Sequence, residues 1–348
     1  MMNLMDLLKW ILDLLFSPWL FVPLIFPGLI TVFAILLFII WFERKLAAKV
    51  QLRYGPLYVL KQLGGAIQLV ADLIRYLFAE PIVPEQTDKL AFVLGPIFLF
   101  AASFIPCVII PVSSSFYAIR SDIGLLISLG LLTFSPAIIL IIGWASNNKF
   151  SLIGGLREGY LTMAYEIPLF ISALSMAALY GTMDLIEMVE TQSEGTWGII
   201  LNPLAALTFL ILAFMSTSRF PFEIVEAESE IVMGPFTEYS GILYGLTMGA
   251  SYVKFYVLCL LFSIMFLGGW QPVPSFLSWS PLFSRIILPG VILLLKSLVI
   301  MIFGVFLRSV YPRYRIDQAL KIGWHMILPL SIGSVFLSLG LILLGVVP

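Results

Sequence analysis

Eight long runs of apolar residues constrain this chain more than any other feature. A helix needs about 20 residues to cross the hydrocarbon core of a bilayer. Only helices and closed barrels satisfy their backbone hydrogen bonds in lipid, and continuous rather than alternating apolar runs favour helices. The sequence therefore predicts an all-α polytopic membrane protein, a single membrane domain over 1–348. About eight transmembrane helices are expected, at 20–42, 90–112, 123–145, 160–180, 197–215, 241–267, 284–307 and 326–347.

The composition agrees with a membrane location and excludes several functions. The chain is 61% hydrophobic and 11% charged, whereas about 25% of the residues in a soluble domain are charged. A net charge of −1 offers no basic surface for nucleic acid. Cys107 and Cys259 lie far apart and His325 is the one histidine, so the clustered ligands of a zinc or iron–sulfur site are missing. We expect no metal and no cofactor to be bound by this chain alone.

The basic residues between the apolar runs indicate the orientation. Four segments, 43–89, 146–159, 216–240 and 308–325, contain fourteen Lys and Arg residues, whereas the alternate segments contain only Arg120. Because cytoplasmic loops are enriched in Lys and Arg, we predict that these four segments are cytoplasmic loops and that both termini lie outside. Residues 4–16 place apolar side chains on one helical face and charges on the other, which predicts an N-terminal amphipathic helix on the membrane surface.

Two clusters of mixed charge mark the cytoplasmic edges of the apolar runs. Taken alone, each is explained by basic residues that anchor the membrane edge and by aromatic residues at the interface. The first cluster begins at residue 43 and the second at residue 308. Their charged residues are Glu43, Arg44, Lys45 and Arg53 in the first, and Arg308, Arg313, Arg315 and Asp317 in the second.

A third cluster sets five carboxylates against a single arginine, Arg219. Its spacers are Phe, Ile, Val and Ala, which argues against the alternative of a solvated acidic loop. Crowded carboxylates in apolar surroundings hold protons more tightly and titrate together, which suits proton exchange. If the segment were a helix, three of them would share one face, at i, i+3 and i+7. The five are Glu223, Glu226, Glu228, Glu230 and Glu238, of which the first, second and fourth form that face.

Three ionisable residues lie well inside apolar runs, away from their ends. Glu166 is six residues into the run 160–180, and Lys254 and Lys296 lie in later runs. An ionisable side chain within a membrane helix is costly and indicates a function by default, although a lysine near a helix end can reach the headgroups. Glu166 is therefore a candidate functional residue.

In these clusters and in further motifs, the sequence resembles the H subunits of complex I. These are membrane-arm proteins that join the membrane domain to the hydrophilic arm. Two serines, Ser216 and Ser251, stand where that family commonly has glutamate. The segment 234–241 also resembles relatives in membrane-bound hydrogenases and sulfane reductases. The matching motifs run along nearly the whole chain, at 43–45, 51–56, 68–72, 79–81, 143–149, 165–166, 219–241, 266–270 and 311–318.

The resemblance implies a membrane subunit of a complex I-like respiratory oxidoreductase in a prokaryotic cell membrane, with no redox centre of its own. Such a protein lines a cavity for a quinone, whose electrons come from a neighbouring subunit, and couples the reduction to ion translocation through buried carboxylates. A quinone is therefore expected only in the assembled complex. The implied partners are hydrophilic iron–sulfur and hydrogenase-like subunits, antiporter-like and small membrane subunits, and lipid.

With this resemblance we assign three roles to residues of the clusters. The cavity-lining or quinone-side residues are Glu43, Arg44, Lys45, Arg53, Asp72, Glu80 and Arg219. The coupling carboxylates are Glu166, Glu223, Glu226, Glu228, Glu230 and Glu238. The residues that dock the hydrophilic subunits are Arg308, Arg313, Arg315 and Asp317.

Two alternatives stay open at this point. The first is the homologous anchor subunit of a membrane-bound hydrogenase, a sulfane reductase or a ferredoxin-linked complex, none of which needs a quinone. The second is a stand-alone secondary transporter, although the chain lacks the internal repeat that many transporters contain. The polypeptides that co-purify with the chain would distinguish the three interpretations.

Overall fold

A computed structural model describes residues 17–219, 221–273 and 283–345 of this chain. The predicted surface helix at 4–16 lies outside these residues. Regular structure in the described part is helical. The α-helices of its first half are α1 Pro18–Leu24, α2 Leu29–Val50, α3 Ile67–Phe78, α4 Lys89–Phe104, α5 Pro106–Ile109, α6 Gly124–Leu132, α7 Phe134–Ala145 and α8 Lys149–Tyr180.

The second half continues the same pattern of long helices joined by short ones. Tighter and wider helical turns accompany the α-helices, at Lys61–Leu63, Gly234–Phe236, Phe283–Ile287 and Ile322–Ile327. The α-helices are α9 Leu185–Glu194, α10 Gly198–Leu201, α11 Pro203–Ser216, α12 Glu228–Ile231, α13 Gly241–Phe266, α14 Leu288–Val310, α15 Ile316–Lys321 and α16 Leu328–Leu343.

The structure confirms an all-α polytopic membrane protein. Seven of the predicted membrane helices have a helical counterpart that is long and apolar enough to cross a bilayer. The eighth, predicted at 197–215, is divided at Asn202 into α10 and the 14-residue α11, because Pro203 has no N–H to continue the first helix. The seven segments are Pro18–Val50, Lys89–Ile109, Gly124–Ala145, Lys149–Tyr180, Gly241–Phe266, Phe283–Val310 and Ile316–Leu343.

All four predicted loops are partly helical, and two of them contain longer helical stretches. Helix α8 begins at Lys149, so most of the segment 146–159 belongs to this 32-residue helix rather than to a loop. Asn148 caps the N-terminus of the helix, since its side chain accepts a hydrogen bond from the N–H of Phe150 at 2.9 Å. The loop 43–89 contains the amphipathic helix α3, which packs against α13. These helices bring charged side chains to defined positions at the membrane edge.

Helix α13 is the centre of the bundle. Every residue from Val253 to Phe266 is buried, because α2, α3, α4, α9, α11 and α14 pack around this helix. Gly304 of α14 allows a close approach: a Cβ atom there would lie 2.8 Å from the rings of Phe214 and Phe255. A polar residue inside the buried stretch must therefore find its partners within the protein.

Contacts between loops define two ends of the bundle. At one end, Asn148 donates to Glu238 at 2.6 Å and Arg308 pairs with Glu43. These contacts join the four segments predicted to be cytoplasmic, and we call this the charged end. At the opposite end, Arg120 pairs with Asp184 at 2.7 Å.

Asn202 is expected to stabilise the break between α10 and α11. Its buried side chain donates to the backbone oxygen of Ser334 at 2.9 Å and to the hydroxyl of Ser338 at 2.8 Å, and it accepts from the N–H of Ala205 at 2.9 Å. Asn202→Ala removes a helix cap and leaves buried partners unpaired, so we expect a loss of about 1–3 kcal/mol. The measurement is the thermal unfolding midpoint in detergent. Removal of an exposed amide, Gln86→Ala, is the control, and equal midpoints in both variants would contradict the assignment.

Candidate functional site

A cavity of about 370 Å³ lies between the membrane helices. It begins beneath the loop 217–240 at the charged end and extends beside α13 as far as Lys254. Its walls are rich in hydroxyl groups and contain seven charged side chains. The lining includes Ser103, Ser135, Glu158, Ser216, Thr217, Ser218, Arg219, Glu223, Glu226, Thr247, Ser251, Tyr252, Lys254, Arg308 and Arg313.

An ion-pair network closes one wall of the cavity. Arg308 at the end of α14 pairs with Glu43 of α2 and, at 3.3 Å, with Glu223 of the acidic loop. Arg313 lies 3.7 Å from the other carboxylate oxygen of Glu223. The hydroxyl of Tyr252 donates to Glu43 at 3.1 Å. Because each side chain is mostly withdrawn from solvent, removal of one partner would leave a buried charge uncompensated.

Arg219, in the same wall, lacks hydrogen-bond partners among the described residues for part of its guanidinium. Its guanidinium lies 3.6 Å above the ring of Tyr252, and its nearest charge partner is Glu43 at 3.8 Å. Only 9% of the residue is exposed, and its Nε and Nη2 groups have no hydrogen-bond partner among the described residues. Buried donors are rarely left unpaired. The wall of the cavity therefore includes an arginine with donors that lack an acceptor among the described residues.

Apolar side chains hold the acidic loop in place. Phe222 packs between the rings of Tyr165 and Tyr314, at centroid distances of 6.1 and 5.5 Å. Ile224 and Val225 are also buried. The loop is therefore not the solvated acidic loop of the alternative interpretation.

The helical face predicted for Glu223, Glu226 and Glu230 is not present. Only residues 228–231 form a helix, because the apolar spacers are buried in an irregular chain. Glu223 and Glu226 line the cavity, whereas Glu230 is exposed and pairs with Arg157 at 2.5 Å. The side chain of Glu228 lies outside the described residues.

A close approach of two backbones positions the loop against α8. A Cβ atom at Gly154 would lie 2.6 Å from the ring of Pro235 and 2.8 Å from the backbone of Gly234. Gly234 itself has φ +56°, a conformation that side chains with a Cβ rarely adopt. Glycine at both positions lets the loop cover the cavity.

The two loop carboxyls hold protons more tightly than a carboxyl in water. Removal from water raises the pKa of Glu223, although the neighbouring Arg308 and Arg313 oppose this effect. For Glu226, removal from water and the charge of Glu223 raise the pKa to about 7, against the opposing effect of Arg219. Glu226 is therefore poised to exchange a proton near neutral pH.

The sequence analysis missed Glu158 as a site residue. It is 5% exposed, lines the cavity and accepts a hydrogen bond from the hydroxyl of Ser218 at 3.4 Å. The segment 146–159 was assigned to a loop, which separated Glu158 from Glu166. In one continuous helix the two carboxylates are eight residues apart, close to one face, and this spacing could have identified the pair.

Lys254 connects Glu166 to this site. Glu166 does not line the cavity itself, but its carboxylate lies 3.6 Å from the ammonium of Lys254. The same ammonium donates to the hydroxyl of Ser135 at 2.8 Å. The sequence analysis identified Lys254 as an intramembrane charge without assigning it a role.

The structure places the other predicted quinone-side residues outside the cavity. Arg44 pairs with Asp72 at 2.6 Å on the partly exposed surface between α2 and α3. Arg53 is exposed and donates to its neighbour Gln51 at 2.6 Å. Lys45 is half-buried in α2 and Glu80 is exposed. Their predicted roles stay predictions.

The four predicted docking residues divide into two pairs. Arg308 and Arg313 lie in the wall of the cavity, whereas Arg315 and Asp317 are exposed at the charged end. The predicted coupling residue Glu238 accepts its hydrogen bond from Asn148 and fixes the loop to the start of α8.

Fold and site together define a class: a multi-pass α-helical cell-membrane protein that encloses a charged cavity at one end. The family model described as NADH dehydrogenase matches residues 24–339. The H subunit of NADH-quinone oxidoreductase from Geobacillus kaustophilus is 37% identical over 300 residues, which cover 85% of this chain and 86% of the relative. Its counterpart of the same name from Bacillus cytotoxicus is 37% identical over 322 residues, or 90% of this chain and 93% of the relative. The chain belongs to the NADH dehydrogenase family, as a homologue of these H subunits.

Glu226 is expected to titrate near pH 7. The carboxyl is protonated below its pKa and ionised above it, so its protonated C=O band in the infrared spectrum should disappear between pH 6 and pH 8. Glu226→Gln in the purified complex should remove this change. The control is Glu85→Gln, which alters an exposed carboxylate. A pH-dependent band that is unchanged in the Glu226 variant would refute the assignment.

Proposed function

We propose that this chain is the membrane subunit of a complex I-like respiratory assembly, in which its cavity receives the headgroup of a quinone and starts the coupling to ion translocation. The observation that carries the proposal is Arg219, a buried arginine of the cavity wall with two N–H groups that have no partner among the described residues. A quinone carbonyl oxygen is an acceptor for such donors, and hydrogen bonds from a charged donor are the stronger ones.

The cavity suits a quinone headgroup in size and chemistry. Ligand sites in proteins usually measure about 300–1,000 Å³, with apolar walls and a few polar groups that orient the ligand. Here Val225, Met233 and Phe236 contribute apolar lining. A bound quinone would supply an acceptor for two electrons and two protons. The electrons would come from an iron–sulfur centre in a neighbouring hydrophilic subunit, because the sequence offers no cluster of cysteines for such a centre.

The carboxylates around the cavity support the proposed coupling. Uptake of protons near Arg219 changes the local charge, and this change alters the proton affinity of Glu223 and Glu226 because interacting sites titrate together. Glu158 and Glu166, both in α8, extend this group of carboxylates from the cavity into the membrane helix. The chain's own residues would therefore hold and pass protons, and antiporter-like subunits would use the resulting change in charge.

The exposed surface at the charged end supports docking of the hydrophilic subunits. Tyr311 and Arg315 are exposed there, and aromatic and arginine side chains commonly dominate protein interfaces. Leu52, Tyr54 and Tyr58 are also almost fully exposed in the loop after α2. We propose that hydrophilic iron–sulfur and hydrogenase-like subunits cover this surface and that small membrane subunits and lipid cover the apolar helices.

The two alternatives are not favoured. The relatives named above are subunits of a quinone oxidoreductase, rather than of a hydrogenase, a sulfane reductase or a transporter. The polar residues of the cavity are also concentrated toward one end of the bundle, whereas a transporter would place its site near the midplane.

Arg219 is expected to bind the quinone. Arg219→Met in the assembled complex removes a charge-assisted hydrogen bond, so the KM for a short-chain quinone should rise about tenfold to a hundredfold, with a smaller effect on kcat. The steady-state rate of quinone reduction in detergent is the measurement. Arg75→Met alters an exposed arginine of α3 and is the control. A normal KM in the assembled Arg219 variant would contradict the proposed site.

Arg315 and Tyr311 are expected to hold the hydrophilic subunits. Replacement of both by alanine removes an anchor pair from the interface, so these subunits should dissociate about tenfold faster while the membrane subunits stay together. Gel filtration of the complex after dilution measures the loss. Glu190→Ala at the opposite end is the control. Equal retention in the two variants would show that this surface is not the docking site.

A further inference from the structure

Lys254 is the charged residue of the buried helix α13. It lies in the middle of this 26-residue helix, within the stretch from Val253 to Phe266 in which every residue is buried. Only 6% of the residue is exposed. An isolated ammonium in such a place is unfavourable, and a lysine persists there only when polar groups surround it.

The polar groups around Lys254 come from two helices. Ser135 of α7 accepts a hydrogen bond from its ammonium at 2.8 Å, and Glu166 of α8 lies 3.6 Å away. Glu158 of α8 lines the same cavity and interacts electrostatically with the lysine. Arg219 and Glu226 are the charged cavity groups on the side of the loop.

The two carboxylates lie at different depths in the membrane. Glu158 and Glu166 are eight residues apart in α8, and a rise of 1.5 Å per residue separates them by about 12 Å along the helix axis. Glu158 belongs to the cavity wall, whereas Glu166 lies beyond it. Among the described residues no hydrogen bond joins the two carboxyl groups, so a proton that passes between them needs a carrier.

We propose that Lys254 is this carrier: it transfers protons between Glu158 and Glu166 and so extends the coupling path from the cavity into the membrane. The inference rests on the proposed function of the cavity. It assigns a proton-transfer role to a residue that the proposed function leaves out.

The transfer balances without any further reactant. The ammonium of Lys254 gives a proton to a carboxylate oxygen of Glu166, so an N–H bond breaks, an O–H bond forms, and a neutral amine remains beside a carboxylic acid. Lys254 makes no hydrogen bond to Glu158 in this structure, so the amine must rotate toward its carboxylic acid to take the next proton, which restores the ammonium and leaves Glu158 ionised. No electrons move, and the net result is one proton transferred from Glu158 to Glu166.

The neighbouring hydroxyl groups cannot replace Lys254. Ser216 and Ser251 line the same cavity, but they donate to carbonyl oxygens of their own helices, those of Ala213 at 3.3 Å and Met248 at 2.9 Å. A serine hydroxyl can relay a proton but does not hold an additional one near neutral pH. A lysine can alternate between ammonium and amine, whereas an arginine stays protonated in proteins.

This difference between lysine and arginine gives the test. Lys254→Arg keeps the positive charge beside Glu166 but removes the group that can release a proton, and Lys254→Gln removes both. Each variant complex is reconstituted in vesicles, and ion translocation per quinone reduced is measured together with the rate of quinone reduction. Lys89→Arg, at an exposed position, is the matched control. We expect the translocation ratio to fall at least fivefold in both Lys254 variants, whatever their rate of quinone reduction, with the ratio of the control unchanged.

Other outcomes would overturn the proposal in distinguishable ways. A normal ratio in either assembled Lys254 variant would show that the lysine is not a proton carrier, while the function of the cavity would stand. A normal ratio in the arginine variant with a lost ratio in the glutamine variant would assign to Lys254 only a fixed charge. If neither variant assembles, its role is structural. If the unmodified complex neither reduces quinone nor translocates ions, the proposed function fails, and this inference fails with it.

Discussion

The ion pairs among Glu43, Arg308 and Glu223 join three distant parts of the chain at one point. Glu43 and Arg308 are 265 residues apart, and Glu223 comes from the loop between α11 and α13. Each of these charges is expensive to bury alone, so α2, α14 and the loop must meet for any of them to be stable. The cavity follows from this requirement, because the helices that carry the charges cannot close around them as tightly as apolar helices do.

The charges of the described residues around the cavity do not balance. Five carboxylates, of Glu43, Glu158, Glu166, Glu223 and Glu226, face four cations, of Arg219, Lys254, Arg308 and Arg313. In surroundings with little water an excess negative charge is unfavourable, so one carboxyl gains from keeping a proton. Glu226, with its pKa of about 7, is the carboxyl of the loop that we expect to keep this proton. A carboxyl that can exchange a proton beside the cavity supports the proposed coupling to a proton-consuming reaction.

The sequence could predict the helices and part of the site. Length and hydropathy located the membrane segments, because lipid leaves the backbone few choices, and the apolar spacers around Glu223 indicated a buried loop. The break at Asn202 and the early start of α8 at Lys149 were missed, because both depend on side-chain caps and packing rather than on hydropathy. Because the predicted loop extended to residue 159, Glu158 was not recognised as part of a membrane helix. The position of Arg308 in the cavity wall depends on a contact with Glu43 across 265 residues, which no local pattern reports.

The two ends of the bundle differ in how completely their polar groups are satisfied. At the end opposite the cavity, Lys296 donates to three backbone oxygens, of Leu267, Gly269 and Gln271, and Gln192 bonds through both its oxygen and its nitrogen. Such groups fix the loops to the helices and leave no donor for a ligand. At the charged end, Arg219 keeps two unpaired donors. The proposed coupling needs both a fixed end and an end that responds, since a change of charge at the cavity would move protons along α8 and α13 only if the helices themselves keep their positions.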